Sequence, residues 1–338
     1  LEDKIKKLEE VFIQALTLRG LTQSEAEIVA QPFLEAELTG KKTHGIMKFF
    51  LIDEAIRLRG DKPEIIKEKF NYALVDAHRE LGYLSAQCAT DILIQKAREF
   101  GNAIVATVNS YYYSIAGIYA RKVAEAGFVS IITNNGGPAA VTPFSGVDPI
   151  LGTNPVAIGI PYKGGAIVLD MATSKQTWGE INLAKVEKRD LLPDTFFDKE
   201  GNLTTDPVLA NAIRPFGEAK GSGLNFILEI LTGSFVGAKM GLQSKNGYDL
   251  GFLFTAYSPD MFNSKEQFEK QIEQLIHEVK NCRKESGVLE IYLPGEQSKN
   301  RMEAAIKKGS IVISDSTWNK LLAFADGKDV KGEEGLVE

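Results

Sequence analysis

The sequence contains three histidines, the residue type whose ordinary pKa suits proton transfer near neutral pH. His44, in Lys-Lys-Thr-His-Gly-Ile-Met, follows Thr43, a residue typical of helix N-caps, and is predicted to lie in the first turn of a helix. The positive end of a helix dipole lowers the pKa of an imidazole below about 6.5, which leaves a neutral base at pH 7. Lone histidines also serve packing or solubility, and we assign His78 to an exposed loop and His277 to the polar face of a helix.

Three further segments have residue types that suit a ligand site. Between residues 134 and 161, glycines and prolines force turns, and Asn135 and Asn154 offer amide groups to a polar ligand, although ordinary turns between strands explain the same residues. Residues 169–174, Leu-Asp-Met-Ala-Thr-Ser, end a strand where ligands commonly bind in α/β proteins. Residues 220–223, Lys-Gly-Ser-Gly, begin a helix whose free N–H groups and lysine ammonium suit a phosphate.

Several functional classes are excluded or disfavoured. The Rossmann fingerprint G-x-G-x-x-G, the P-loop, G-x-S-x-G and H-E-x-x-H are all absent. The net charge is −6, from 39 Lys and Arg against 45 Asp and Glu, without a long basic run, so we expect neither nucleic acid nor a membrane surface as a partner. Cys88 and Cys282 form no disulfide or metal-ligand pattern, so we expect no metal site and a reducing compartment, the cytoplasm. No apolar run reaches the about 18–20 residues of a membrane span.

The elements that must position these residues alternate between helices and strands. Helical periodicity dominates the first fifty-odd residues, with a third helix predicted from Thr43 to Gly60. Residues 220–238 are apolar on every side, which predicts a buried central helix. The β-rich runs, which alternate at first with longer helical stretches, begin at Tyr72, Ala103, Val129, Val156 and Ala166.

This alternation predicts an α/β fold with two domains. We expect an N-terminal helical domain over residues 1–70, joined by the C-terminal segment 296–338. Residues 71–295 then form the α/β core that binds nucleotide and substrate.

Six segments taken together resemble one enzyme family. They are Thr-His-Gly-Ile, Asn-Ser-x5-Ala-Gly-x-Tyr-Ala, Leu-Gly-Thr-Asn-Pro-Val-Ala-Ile-Gly-Ile-Pro, Leu-Asp-Met-Ala-Thr-Ser, Ala-Lys-Gly-Ser-Gly-Leu and Leu-Pro-Gly-Glu. In this order, over nearly the whole chain, they resemble the type 2 malate/L-lactate dehydrogenase family, which includes ureidoglycolate and sulfolactate dehydrogenases. The resemblance implies a non-Rossmann mixed-sheet core that binds NAD or NADP, and a homodimer that moves a hydride to or from a small 2-hydroxy acid or 2-oxo acid.

The resemblance also implies roles for individual residues. His44 matches a family histidine whose preceding hydroxyl is retained as Thr43, and Asp198 matches an aspartate that some members place in the active site. The cofactor is expected to contact Asn135, Asp170, Met171, Ala172, Thr173, Ser174, Lys220 and Gly221. The substrate is expected to contact Thr43, Lys48 and Asn154.

The chain departs from the family pattern at several positions. Tyr112 stands where members usually have a second histidine, a proton acceptor in some of them, and Lys48 stands where they usually have arginine. Lysine offers a carboxylate a point charge instead of a bidentate grip, which loosens or changes substrate orientation. Ser222 and Glu180 replace a family tyrosine and lysine.

These departures leave two hypotheses for the chain. In the first, His44 is the acid/base, Tyr112 orients the substrate, and Asp198 completes the catalytic set. In the second, the loss of the paired histidine and arginine leaves a sensor or scaffold that binds nicotinamide nucleotide without useful turnover.

Overall fold

A mixed β-sheet is the centre of the structure, a computed structural model that describes residues 4–328 and 330. The strands are β1 (Glu64–Lys69), β2 (Tyr72–Asp76), β3 (Asn102–Ser110), β4 (Val129–Asn134), β5 (Val156–Tyr162), β6 (Gly165–Met171), β7 (Phe196–Phe197), β8 (Leu203–Thr204), β9 (Ala212–Ile213) and β10 (Leu250–Tyr257). Over the described residues, seven strands lie in the order β1-β2-β3-β10-β4-β5-β6, and β7, β8 and β9 form a small second sheet. In the large sheet β2 and β3 pair in parallel, whereas the other neighbours are antiparallel.

Helices surround the sheet and form a separate layer at the N-terminus. They are α1 (Lys4–Leu18), α2 (Gln23–Thr39), α3 (Ile46–Phe49), α4 (Ile52–Leu58), α5 (Gly82–Phe100), α6 (Ala116–Glu125), α7 (Trp178–Glu187), α8 (Ala219–Thr232), α9 (Lys265–Asn281), α10 (Glu296–Lys308) and α11 (Asp315–Ala325). Short 3-10 turns occur at Lys42–His44, Gly241–Gln243 and Pro259–Met261.

The two faces of the large sheet contact different helices. Successive side chains of a strand point to opposite faces, and in β10 Phe252 and Phe254 join the core beneath α5 and α6. Leu253, between them, belongs to a smaller cluster on the face that α8 covers. At Gly159 in β5, a Cβ atom would collide with the carbonyl oxygen of Ala120, so the missing side chain lets α6 lie directly on the sheet.

The N-terminal helices share a second apolar core with the end of the chain. Phe12, Phe33 and Phe49 contact one another at its centre, and Phe324 of α11 packs edge-on against Phe49. α10 also contacts α2. The domain division at residue 70 stays a prediction, and its proposed ranges include residues 1–3, 329 and 331–338, which lie outside the described part of the chain.

The α/β fold class and the β-rich runs are confirmed, but the predicted helix from Thr43 to Gly60 is wrong. That segment forms a 3-10 turn, α3 and α4 in succession. Gly45 has a non-helical backbone, and the Glu37 carboxylate accepts a hydrogen bond from the Ile46 backbone N–H at 2.7 Å, which starts a new helix after His44. The interruption depends on the contact between Glu37 and Ile46, which the helical periodicity of the segment does not predict.

The predicted buried central helix over residues 220–238 is also wrong. The helix ends at Thr232, and Phe226 and Ile227 are 56% and 51% exposed. Its buried inner side instead includes Asn225, Glu229 and Thr232, whose polar atoms form hydrogen bonds within the protein. Uniform apolarity predicted burial, but it does not specify which surface covers the helix.

The cap of α2 provides a test of local stability. The Thr22 hydroxyl accepts a hydrogen bond from the Glu25 backbone N–H, while the Glu25 carboxylate accepts one from the Thr22 backbone N–H. Because Thr22→Ala removes one side of this reciprocal cap, we expect the free energy of unfolding to fall by about 1 kcal/mol. Urea denaturation measures the change, Thr22→Ser is the matched control, and equal losses in the two variants would contradict the assignment.

Candidate active site

His44 lies between the N-terminal helices and the sheet, where two hydroxyl groups reach its ring. The Tyr112 Oη and Ser114 Oγ atoms lie 2.7 and 3.3 Å from its Nδ1 atom. The His44 and Tyr112 rings are nearly parallel, at 13°, with centres 6.3 Å apart. Since Nδ1 is occupied by hydroxyl groups, Nε2 is the nitrogen with which the ring can meet a ligand.

The loop between β3 and α6 brings these hydroxyls to the imidazole. At the end of β3, Asn109 has a left-handed backbone (φ 55°), and its amide donates to the Asp76 carboxylate. Ser114 also has positive φ, at 75°. A Cβ atom on Gly82 would collide with the Tyr111 and Tyr112 backbone, so this glycine lets the loop rest on the start of α5.

Burial, not a helix dipole, controls the protonation of His44. The surrounding protein disfavours the imidazolium and lowers the pKa from 6.5 to about 4. The positive charges of Lys41 and Lys48 lower this pKa further, whereas the Asp170 carboxylate opposes them. The predicted lowering is confirmed, but its predicted cause is wrong because His44 belongs to a three-residue 3-10 turn and not to the first turn of an α-helix.

Lys48 supplies a cation without a carboxylate partner. Its Nζ atom lies 5.1 Å from the centre of the Tyr112 ring, and over the described residues no acidic oxygen lies within 4 Å of it. Burial lowers the pKa of this ammonium. A desolvated, uncompensated cation favours an anionic ligand.

Tyr112 is held in its neutral form. Burial raises the pKa of its phenol above the ordinary value of 10.0, although a hydrogen bond with Ser114 opposes the change. A neutral phenol donates or accepts a hydrogen bond but is a poor proton acceptor at neutral pH. Its contact with Nδ1 therefore fits an orienting role toward His44.

Thr43 packs against the first turn of α7. A Cβ atom on Gly179 would lie 2.9 Å from the Thr43 Cβ atom, so Gly179 permits this contact. Glu180, where the family resemblance leads one to expect lysine, pairs instead with Arg189 at 2.6 Å. Substrate contact by Thr43 stays a prediction.

Asp170 joins the sheet to the segment that precedes His44. Its Oδ2 atom lies 2.5 Å from the Lys41 Nζ atom, in an ion pair whose side chains are 17% and 34% exposed. A Cβ atom on Gly117 would lie 2.9 Å from the Asp170 Cβ atom, so α6 approaches this carboxylate closely. Asp170 and Met171 end β6, with Ala172 directly after them.

A cavity of about 450 Å³ opens beside this ion pair. Its walls are β6, the start of α6, the Glu35–Arg121 ion pair at α2, and the segment Leu293, Pro294, Gly295 and Glu296 before α10. The volume falls within the about 300–1,000 Å³ of small-molecule sites. The Leu-Pro-Gly-Glu segment contributed to the family resemblance, but no site role was predicted for it, nor for Lys41, Glu37 or Ser114.

Thr173 and Ser174 fix the turn that leaves β6. The Thr173 hydroxyl is buried and bonds to the backbone oxygens of residues 153 and 154, while the Ser174 hydroxyl bonds to the Gln176 carbonyl. Asn135 and Asn154 are fully buried, and their amides are occupied by protein groups. Contacts of these four residues with ligand stay predictions, and the structure shows that they shape the loops.

Lys220 and Gly221 begin α8, outside the lining of the cavity. Gly221 is required there because a Cβ atom would collide with the Phe216 carbonyl. Asp198 lies in the turn between β7 and β8, where its carboxylate accepts from the backbone N–H groups of Glu200 and Asn202. The contacts described for Asp198 are with its own turn and not with His44, so its catalytic role stays a prediction.

Over residues 4–328 and 330, no group of three or more His, Cys, Asp or Glu side chains could hold a metal ion. In that same part of the chain, no helix has the length and apolarity needed to cross a bilayer.

Comparison with known proteins identifies similar chains over almost the full length. Residues 4–322 match the family model for malate/L-lactate dehydrogenase. The L-sulfolactate dehydrogenase of Methanocaldococcus jannaschii is 33% identical over 96% of this chain and 95% of its own. Its solved structure superposes with a TM-score of 0.85, at 32% identity, over 96% of this chain and 97% of that one.

Two other relatives differ in the cofactor that their names specify. The NAD⁺-dependent ureidoglycolate dehydrogenase of Escherichia coli is 29% identical over 91% of each chain. The NADP⁺-dependent (2R)-3-sulfolactate dehydrogenase of Chromohalobacter salexigens is 29% identical over 77% of this chain and 81% of its own.

An NMR titration tests the electrostatics of His44. We expect its ring to titrate at about pH 4, because burial and two lysines disfavour the imidazolium. Lys41→Met removes one of those charges and raises the pKa, whereas Lys41→Arg retains the charge and preserves it. His44→Gln assigns the signal, and a wild-type midpoint near 6.5 would contradict the description.

Proposed function

The chain belongs to the malate/L-lactate dehydrogenase family of NAD(P)-dependent hydroxy acid dehydrogenases, and we propose that it interconverts a small 2-hydroxy acid and its 2-oxo acid with His44 as the acid/base. The observation that supports this most directly is that Tyr112 contacts both groups. Its Oη atom lies 2.7 Å from His44 Nδ1, and its ring centre lies 5.1 Å from the Nζ atom of Lys48, an ammonium without an acidic partner within 4 Å over the described residues. One group suits the proton of the carbinol hydroxyl, and the other suits the substrate carboxylate.

We assign the cofactor to the cavity beside Asp170, which Lys41 lines and His44 does not. The cavity combines the apolar wall of β6 with polar groups from the Lys41–Asp170 and Glu35–Arg121 pairs, and Gly165 leaves open backbone. Asp170, which Met171 and Ala172 follow in the chain, would hold the nicotinamide end near His44. When bound, the nicotinamide accepts the hydride of the hydroxy acid or supplies the hydride to the oxo acid.

The hydroxyl partners let His44 act in both directions. When the hydroxy acid is oxidised, its O–H proton passes to Nε2, while Nδ1–H donates to the oxygen of Tyr112 or Ser114. When the oxo acid is reduced, the imidazolium returns the Nε2 proton to the new alkoxide oxygen. Because a hydroxyl both donates and accepts, it supports either neutral tautomer of the ring.

Binding of an anionic substrate raises the low pKa of His44. A carboxylate held at Lys48 offsets the positive field that disfavours the imidazolium. We therefore expect the pKa of His44 to rise from about 4 when the anionic substrate binds, toward the range in which proton transfer is efficient. Lys48 in this way both anchors the substrate and tunes the base.

Mutation of His44 distinguishes the enzyme from a nucleotide-binding sensor. With NADH and a panel of 2-oxo acids, we expect His44→Gln to lower kcat by about 10²–10⁴-fold, because the proton donor is lost. NADH absorbance measures turnover, and His277→Gln, on exposed α9, is the matched control. Thermal stabilisation of the wild type by NADH without turnover of any acid would favour the sensor or scaffold.

We also propose that two copies of the chain associate through α8. The helix has polar, hydrogen-bonded residues on its inner side and apolar residues on its outer side, the reverse of a surface helix. Phe144 extends this surface, since its backbone N–H donates to the Ser222 hydroxyl. The exposed apolar side chains in and after α8 are Leu224, Phe226, Ile227, Ile230 and Phe235. A contiguous apolar face that matches itself under twofold symmetry is typical of a homodimer.

Sedimentation velocity tests this association. We expect the wild type to sediment as a dimer and Phe226→Glu/Ile227→Glu as a monomer, because charges cannot be buried unpaired in an apolar interface. Lys270→Glu changes charge on exposed α9 and is expected to remain dimeric. A monomeric wild type at micromolar concentration would contradict the proposal.

A further inference from the structure

The charges around His44 do not cancel. Lys41, Lys48 and Asp170 are the charged side chains whose fields act on its ring, so two ammonium groups face one carboxylate. Tyr112 and Ser114 complete the surroundings of the imidazole as neutral hydroxyls.

The two lysines are not equivalent. Lys41 is neutralised by Asp170 at 2.5 Å, and Asp170 is held in place by the close approach of Gly117. Lys48 has no carboxylate within 4 Å over the described residues. The unbalanced charge of the site is therefore on Lys48, the residue that the proposed function assigns to the substrate carboxylate.

We propose that the Lys41–Asp170 ion pair determines substrate specificity, so that the site accepts 2-oxo acids with one negative charge and discriminates against dianions. This inference rests on the proposed function and specifies its substrate class. One substrate carboxylate pairs with Lys48, which has no acidic oxygen within 4 Å over the described residues. A second acidic group on the substrate has no cation to pair with, because Lys41 is already paired with Asp170. If that group takes Lys41 as its partner, the Asp170 carboxylate is left unpaired in a partly desolvated site, so either outcome disfavours binding.

A pair of substrates with the same shape isolates the charge. Oxaloacetate and its half-amide, 2-oxosuccinamate, differ in one terminal group, carboxylate or carboxamide. We expect kcat/KM with NADH to be higher for the half-amide by on the order of tenfold. The second carboxylate of oxaloacetate has no cation to pair with, and its repulsion by a negative charge several Å away weakens binding by at least this factor. Equal values, or a preference for oxaloacetate, would overturn the inference.

Variants of the Lys41–Asp170 ion pair distinguish an effect of charge on substrate selection from a purely structural role of the pair. Asp170→Asn leaves Lys41 unpaired and raises the net charge, so the ratio of kcat/KM for oxaloacetate over the half-amide should rise on the order of tenfold. Lys41→Met leaves Asp170 unpaired and should lower the same ratio, whereas Lys41→Arg should keep it. A merely structural role would reduce both rates together and leave the ratio unchanged, which would overturn the inference.

Binding measurements make the test independent of turnover. Oxamate and oxalate have the same planar shape but carry one and two negative charges, and calorimetry gives their Kd values for the NADH-loaded protein. Tighter oxamate binding without turnover of any 2-oxo acid would refute the proposed reaction and support the inference. Oxalate binding as tight as oxamate binding, or no binding of either, would refute the inference even in a protein that reduces other acids.

Discussion

The partial desolvation of residues 41–48 is the constraint on which the rest of the site depends. This short segment brings Lys48 and an imidazole into surroundings that disfavour charge and lower the pKa of both groups, and it places Lys41 beside Asp170. The protein compensates one lysine with Asp170 and leaves the other uncompensated. A site that retains an unbalanced cation is less stable without its ligand, and the same imbalance favours the binding of an anion.

This arrangement requires contacts between distant parts of the chain. Glu37 ends the 3-10 turn by capping α3, the β3–α6 loop supplies the hydroxyls, and β6 supplies the carboxylate. Over residues 4–328 and 330, the parallel pair of the sheet is β2 and β3, and the connection between them lacks the G-x-G-x-x-G turn at which a Rossmann fold binds a dinucleotide. The cavity lies instead between an edge strand of the sheet and the helices that join the two ends of the chain. The absence of the fingerprint agrees with this topology.

Sequence patterns predicted the local features better than the assembled site. The β-rich runs and the end of a strand at Asp170 and Met171 could be recognised because period-2 alternation and small residues at strand ends are local signals. The hydrogen bond between His44 and Tyr112 joins residues 68 apart, and the Lys41–Asp170 pair joins residues 129 apart, so no rule of local spacing predicts either contact. The prediction that α8 is buried was wrong because an apolar composition does not show whether a helix is covered by its own chain or by another protein. The roles of Asp198, Lys220 and Asn154 depend on bound ligands and stay predictions.

The polar inner side of α8 connects the proposed association of two copies with the positions of the loops that contain Asn154 and Gly241. Glu229 in this helix accepts hydrogen bonds from the Asn154 amide and the Gly241 backbone N–H, so α8 holds two loops at once. The outer side of the same helix is the proposed contact between copies. Dissociation of the two copies upon dilution would expose the outer side of the helix whose inner side holds these loops. Specific activity would then fall in dilute solution before any unfolding is detectable.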